Sequence, residues 1–273
     1  MCVDNDSRPP ITPIAGSSAG GRDLRLTSAD GTRSMAYSAR AATPSGAGMV
    51  VIPDVRGLHQ YYKDLADRFS EVGVDSVAID FFARTAPSDD RGDKFDFMAQ
   101  VPQTKPDQLQ ADIAAAVAHL RGADGGQVRS VFCVGFCFGG ALSYLQAASG
   151  LGYAGVIGFY GWPLGLKRWP DRPRPIDAVS RYKSPVLSLF GGADDGIPQK
   201  DVDDLDRERK LHLERAHLVG DDGGVRLALL DRPDVARSRN AAGQARNVPE
   251  KIPDRFARRR DGHLALDLHG RPC

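Results

Sequence analysis

Two stretches place reactive side chains where the chain turns. In "VGFCFGGALSYLQ" (Val134 to Gln146) an apolar run passes through Gly-Phe-Cys-Phe-Gly-Gly into an Ala/Leu-rich segment of helical composition. Gly135, Gly139 and Gly140 allow backbones to approach closely on a tight turn. A helix starting there would aim its free amides and positive dipole end at an anion. Cys137 is therefore a candidate nucleophile, because a helix N-terminus lowers the pKa of a thiol and favours the thiolate. The amide of the next residue, Phe138, would face the developing oxyanion. In "SLFGGADDGIP", Asp194 and Asp195 follow an apolar run and a Gly-Gly pair, where an acid that orients a catalytic base would stand. A plain Asp/Gly turn would use the same residues.

These residues need elements to hold them. Short apolar runs at Gly48–Val55, Val74–Phe82, Ser130–Gly135, Tyr153–Gly161 and Ser184–Gly192 read as strands buried on both faces. Between them, Gln60–Gly73 carries Tyr61, Leu65, Phe69 and Val72 at helical spacing. Pro106–Gly122 opens on proline, closes on glycine and aligns Ile113, Val117 and Leu120. Helices are also expected after Gly139 and over Lys200–Ala216, with a short last strand at "HLVG". The alternation predicts an α/β fold with a mostly parallel sheet, and functional groups in loops at the strands' carboxyl ends. Cys133, inside a strand, reads as core.

Composition narrows the function classes. With 36 Lys+Arg against 35 Asp+Glu, nothing favours nucleic acid or an anionic membrane as partner. No segment has the length and apolarity of a signal peptide core or a membrane span. Cys2, Cys133, Cys137 and Cys273 form no disulfide framework, so reduced thiols and a cytoplasmic location are expected. No metal-ligand spacing or nucleotide fingerprint calls for a cofactor, and a monomer is expected. Residues 1–22, rich in Ser, Gly, Pro and Asp, read as a flexible arm, 23–230 as the domain and 231–273 as a diverged tail. Of 20 aromatic residues only Phe256 falls in the last 83 positions, which marks that tail as compositionally distinct.

Five segments in series, "VVIPDVRGLHQYYKDLADRF", "VAIDFFARTAP", "VGFCFGGALSYLQ", "GVIGFYGWP" and "LFGGADDGIP", resemble the dienelactone hydrolase family of α/β-hydrolases. The resemblance covers roughly residues 23–225. It implies an α/β-hydrolase fold and thiol-dependent hydrolysis of a small carboxylated lactone or ester by a Cys-His-Asp triad. Cys137 then matches the nucleophile and Asp194 the acid, with Phe138 and Val55 supplying oxyanion amides. Asp54 stands where the family commonly has a Glu that holds the resting thiol. Arg84 matches an arginine that pairs with that carboxylate and grips a substrate carboxylate.

The triad histidine is the departure. Aligned through Leu218-Val219 and Gly223, its position falls on Arg226, or on Leu227 if shifted by one, and neither side chain is a general base at neutral pH. His59, His119, His212, His217, His263 and His269 offer no replacement from sequence position alone. The alternative expectation is thus an impaired member of the family, retained as a ligand-binding or vestigial protein.

Overall fold

The computed structural model describes residues 7–14 and 18–212, and beyond them short strands at 218–219, 225–227 and 264–266. In chain order the elements are β1 (Ser18–Thr27), β2 (Arg33–Ala41), β3 (Ala47–Ile52), α1 (Gln60–Glu71), β4 (Val74–Ile79), α2 (Phe97–Gln100) and α3 (Pro106–Arg121). They continue with β5 (Ser130–Phe136), α4 (Phe138–Gln146), β6 (Tyr153–Phe159), α5 (Pro175–Ala178), β7 (Val186–Phe190), α6 (Gln199–His212), β8 (Leu218–Val219), β9 (Val225–Leu227) and β10 (Leu264–Leu266). Eight strands form one sheet in the order β1-β2-β4-β3-β5-β6-β7-β8, while β9 and β10 pair separately.

The five apolar runs of the sequence become β3, β4, β5, β6 and β7, joined in parallel. Alternation along β5 splits the core between two faces. Val131 and Cys133 face the side covered by α3, α4 and α6, whose Ile113, Tyr144 and Leu205 are buried there. Val134 and Phe136 face α1, which buries Tyr61, Tyr62 and Leu65. Val72, expected on the α1 stripe, lies at the helix end and is exposed. Gly73 follows it in a left-handed conformation, φ 88°, and lets the chain leave the helix.

β1 and β2 were not anticipated from hydrophobic pattern, and β1 starts at Ser18, inside the segment expected to be a flexible arm. The two form an antiparallel hairpin along the sheet edge, with β2 paired antiparallel to β4. β1 is mostly exposed, so it has no need of the apolar run that marks a central strand. The polar stretch from 83 to 105 contains the short helix α2, capped by the Asp96 side chain accepting from the Ala99 amide.

The register sets the strand ends level. Ile52 pairs with Gly135, Phe136 with Phe159, and Phe159 with Leu189. The chain therefore leaves β3, β5, β6 and β7 side by side, which is where ligands bind in open parallel sheets.

Candidate active site

Cys137 occupies the single residue between β5 and α4, at φ 55° and ψ −114°. A non-glycine residue with positive φ is strained, and here the backbone is held from both sides. The Cys137 amide donates to the Phe159 carbonyl at 3.0 Å, and its carbonyl accepts from the Ala141 amide at 3.1 Å. The surrounding glycines are needed for space rather than for φ. A Cβ on Gly139 would lie 2.1 Å from the Pro53 oxygen, one on Gly135 2.0 Å from the Gly139 oxygen, and one on Gly140 2.3 Å from the Phe159 oxygen. α4 thus sits directly on the ends of β3 and β6, and its first turn, beginning with Phe138, has amides without intrahelical acceptors. Cys137 is buried, as is Cys133, whose thiol pKa burial pushes upward.

The loop after β3 brings Asp54 and Val55 beside this elbow, and both are buried. Asp54 Oδ1 accepts from the Arg56 amide at 2.8 Å, and the Asp54 amide donates to the Tyr62 hydroxyl at 3.0 Å. Asp54 Oδ2 has no hydrogen-bond partner among the described residues. The loop is braced from below by Asp80, which accepts from the Leu58 amide and forms a two-pronged pair with buried Arg91. Gly57, at φ 80°, passes so close to Asp80 that a Cβ would lie 2.5 Å from its Oδ1.

His59 is the residue that sequence reasoning passed over. Its ring is buried, its Nε2 lies 3.9 Å from Asp54 Oδ2, and neither ring nitrogen has a hydrogen bond among the described residues. Tyr62 stands edge-on to it, ring centroids 4.8 Å apart, and 5.6 Å from Phe136, the residue before the cysteine. The Tyr62 hydroxyl pKa is raised well above the ordinary value, mainly by burial, with Asp54, Tyr160 and Cys137 adding negative charge. One tyrosine hydroxyl thus lies within electrostatic reach of both Asp54 and Cys137. The available signal was local: "DVRGLH" puts His59 five residues after Asp54, around a glycine turn.

Asp194 is half-buried in the turn after β7. Its Oδ1 accepts from the Gly196 amide at 2.9 Å, its amide donates to the Gly191 carbonyl, and its carbonyl accepts from Ile197. Trp162, after β6, donates its ring N–H to the Gly196 carbonyl at 3.1 Å and ties this turn to the neighbouring loop. Only β6 lies between the Cys137 and Asp194 strands, so the two backbones leave the sheet roughly 10 Å apart, a gap of the kind a bridging imidazole spans.

Arg84 departs from the expectation. Its guanidinium pairs not with Asp54 but with Asp112 of α3, at 2.7 and 2.9 Å, and with Asp30 of the hairpin turn, at 2.9 and 3.1 Å. These carboxylates raise the Arg84 pKa, and Arg84 in turn holds Asp30 well below the usual carboxylate range. The fork that would grip a substrate carboxylate is already filled by the protein's own.

Of the histidines, His119 bonds Ser38 Oγ at 3.0 Å, away from the elbow. His212 ends α6, and His217, His263 and His269 lie outside the described residues. Arg226 and Leu227 lie in β9, opposite Ala265 and Leu264 of β10. Among the described residues no group of three His, Cys, Asp or Glu side chains could hold a metal ion. No helix among them is long and apolar enough to cross a membrane.

The sequence profile of the dienelactone hydrolase family matches residues 35–217. A protein of Rhodococcus opacus named carboxymethylenebutenolidase is 31% identical over 210 residues, covering 76% of this chain and 77% of its own length. A protein of Methylorubrum extorquens, provisionally given the same name, is 30% identical over 156 residues, 57% of this chain and 54% of its own length. The match thus spans about half of that relative. Among solved structures, a protein of Klebsiella pneumoniae provisionally called a dienelactone hydrolase superposes with a TM-score of 0.64 at 24% identity, covering 73% of this chain and 83% of that one. A dienelactone hydrolase-like promiscuous phosphotriesterase from metagenomic libraries gives 0.57 at 22%, covering 75% and 83%. At these identities the structural likenesses establish the α/β-hydrolase fold.

Proposed function

The chain belongs to the dienelactone hydrolase family, and we propose that it hydrolyses a small carboxylated lactone or ester through a thioester on Cys137. The substrate class follows the name of the Rhodococcus relative, carboxymethylenebutenolidase. The observation that carries the reading is the backbone of Cys137, fixed at φ 55° on the strand-to-helix junction with free helix amides immediately after it.

In this reading the Asp54 carboxylate, with His59 beside it, receives the thiol proton. The thiolate attacks the substrate carbonyl, the carbon–sulfur bond forms, and the amides of Phe138 and Val55 hold the oxyanion. Collapse breaks the carbon–oxygen bond, and the leaving oxygen takes up the proton. Water then attacks the thioester, releasing the carboxylic acid and restoring the thiol. Asp194 takes the place of the triad acid in this step, the position from which a histidine that activates the water would be oriented. Arg84 serves as a brace between the hairpin turn and α3. A thiol nucleophile of this kind suits the reducing cytoplasm.

The test is incubation with p-nitrophenyl acetate and with a dienelactone. Many turnovers per chain that vanish in Cys137→Ala are the expected result; turnover that persists in Cys137→Ala overturns it. The residue types at positions 226 and 227 favour a second reading, in which acylation proceeds and deacylation lacks its base. A burst of one equivalent of p-nitrophenol per chain, followed by negligible release, would select that reading.

A further inference from the structure

A cavity of about 350 Å³ lies between α3, α4 and the segment that follows β6. That volume is within the range of pockets that hold small organic molecules. Its walls include Leu142 and Leu145 of α4, the ring of Phe138, and both Trp162 and Trp169. Cys137 does not line it: Phe138 gives its ring to the cavity while its amide belongs to the elbow.

One half-buried cation enters this apolar space. Arg172 lines the cavity half-buried, its guanidinium carbon 5.2 Å from the Phe138 ring centroid and 5.6 Å from that of Trp169. Only Nη2 is hydrogen-bonded, and only to neutral acceptors: the carbonyls of Val101 and Thr104, at 2.5 and 3.1 Å, and Thr104 Oγ1 at 2.7 Å. Among the described residues no carboxylate pairs with it, and Nε and Nη1 have no acceptor. Arg84 and Arg91, by contrast, each hold a carboxylate in a two-pronged grip. A guanidinium partly withdrawn from water without a counter-ion bears a desolvation cost that an incoming anion would relieve. Its flat fork matches a carboxylate, and its stacking on two aromatic rings fixes the approach. Asp107 and Arg181, both exposed, also line the cavity.

We propose that this cavity is a binding site, separate from the thiol elbow, for a small monocarboxylate with a compact hydrocarbon body. The hydrocarbon lies against Trp162, Trp169 and the α4 leucines, and the carboxylate meets Arg172.

Trp162 and Trp169 are the chain's two tryptophans and both line the cavity, so intrinsic fluorescence reports on it, and the Arg172 and Leu142 variants separate that signal from any change at the Asp194 turn that Trp162 also touches. The experiment titrates the full-length Cys137→Ala protein with cyclohexanecarboxylate and, separately, with neutral cyclohexanecarboxamide. Neither probe is hydrolysed or absorbs at the excitation wavelength, so the outcome is independent of the thioester reading. A saturable fluorescence change is expected, with the carboxylate binding about tenfold more tightly than the amide. Arg172→Met should erase that preference and leave amide binding nearly unchanged. Leu142→Trp, which keeps Arg172 but fills the cavity, should abolish both, with an unchanged circular dichroism spectrum showing that the fold survives. No saturable change up to tens of millimolar, equal affinity for acid and amide, or undiminished carboxylate binding in folded Arg172→Met or Leu142→Trp would each overturn the proposal.

Discussion

Around Cys137 the ends of β3, β5 and β6 and the start of α4 meet backbone to backbone at three glycines, whereas around Asp194 a single turn closes on itself. The elbow draws its geometry from the ends of β3, β5 and β6, and Gly135, Gly139 and Gly140 are spaces that those neighbours already fill. The acid turn draws its geometry from its own hydrogen bonds, between Asp194 and Gly191, Gly196 and Ile197, with the Trp162 tether as its link to the next loop. In the proposed mechanism this contrast fits the two roles: a nucleophile held at a strained φ needs the sheet around it, whereas a carboxylate that only orients a neighbour can sit on an ordinary turn.

The contrast predicts that side-chain chemistry can be removed from the acid turn without disturbing the fold, while the elbow cannot be altered without doing both. Asp194→Asn keeps the oxygen that accepts from the Gly196 amide, so its thermal midpoint should stay within a degree or two while kcat falls roughly 10³-fold. A large drop in midpoint together with kcat would show that the turn depends on the charge. Gly139→Ala pushes a methyl group against the Pro53 oxygen, so both readouts should move. A loss of about 3 kcal/mol in urea unfolding and roughly 10²-fold in kcat is expected. Wild-type stability in that variant would contradict the interlocked elbow.

The loop after β3 belongs with the elbow in position but carries chemistry of its own. His59→Gln keeps the ring's approximate bulk and polarity but cannot take a proton. The rate of Cys137 alkylation by iodoacetamide, and kcat/KM with it, should fall about tenfold. Unchanged alkylation would remove His59 from thiol activation. The smallest catalytic effect is expected at Arg84. Arg84→Met leaves the buried Asp112 without its cation, costing about 3 kcal/mol of stability, while KM for a carboxylated substrate stays constant. A raised KM with unchanged stability would return Arg84 to the role of carboxylate binder.

What the sequence conveyed and what it withheld divide along the same physical line. The parallel core was legible because β3, β5, β6 and β7 are apolar runs, and the elbow because three glycines crowd one cysteine. The edge hairpin was not, since β1 alternates exposed Arg and Asp with few buried residues. The partners of Arg84 lie 54 positions before and 28 positions after it, so no local pattern could reveal that they fill its fork. The isolation of Arg172 depends likewise on which segments the fold brings near. His59 is plain in the sequence, but its place beside Asp54 Oδ2, 3.9 Å away and without a hydrogen-bond partner among the described residues, is set by the fold.

Covalent bonding of Cys137 to substrate is read by mass spectrometry of protein quenched in acid within milliseconds of mixing with p-nitrophenyl acetate. One acetyl group per chain is expected, on the peptide containing Cys137, labile to hydroxylamine at neutral pH and missing from Cys137→Ala treated with p-nitrophenyl acetate. An acetyl group on any other residue, or its survival through hydroxylamine, would contradict it.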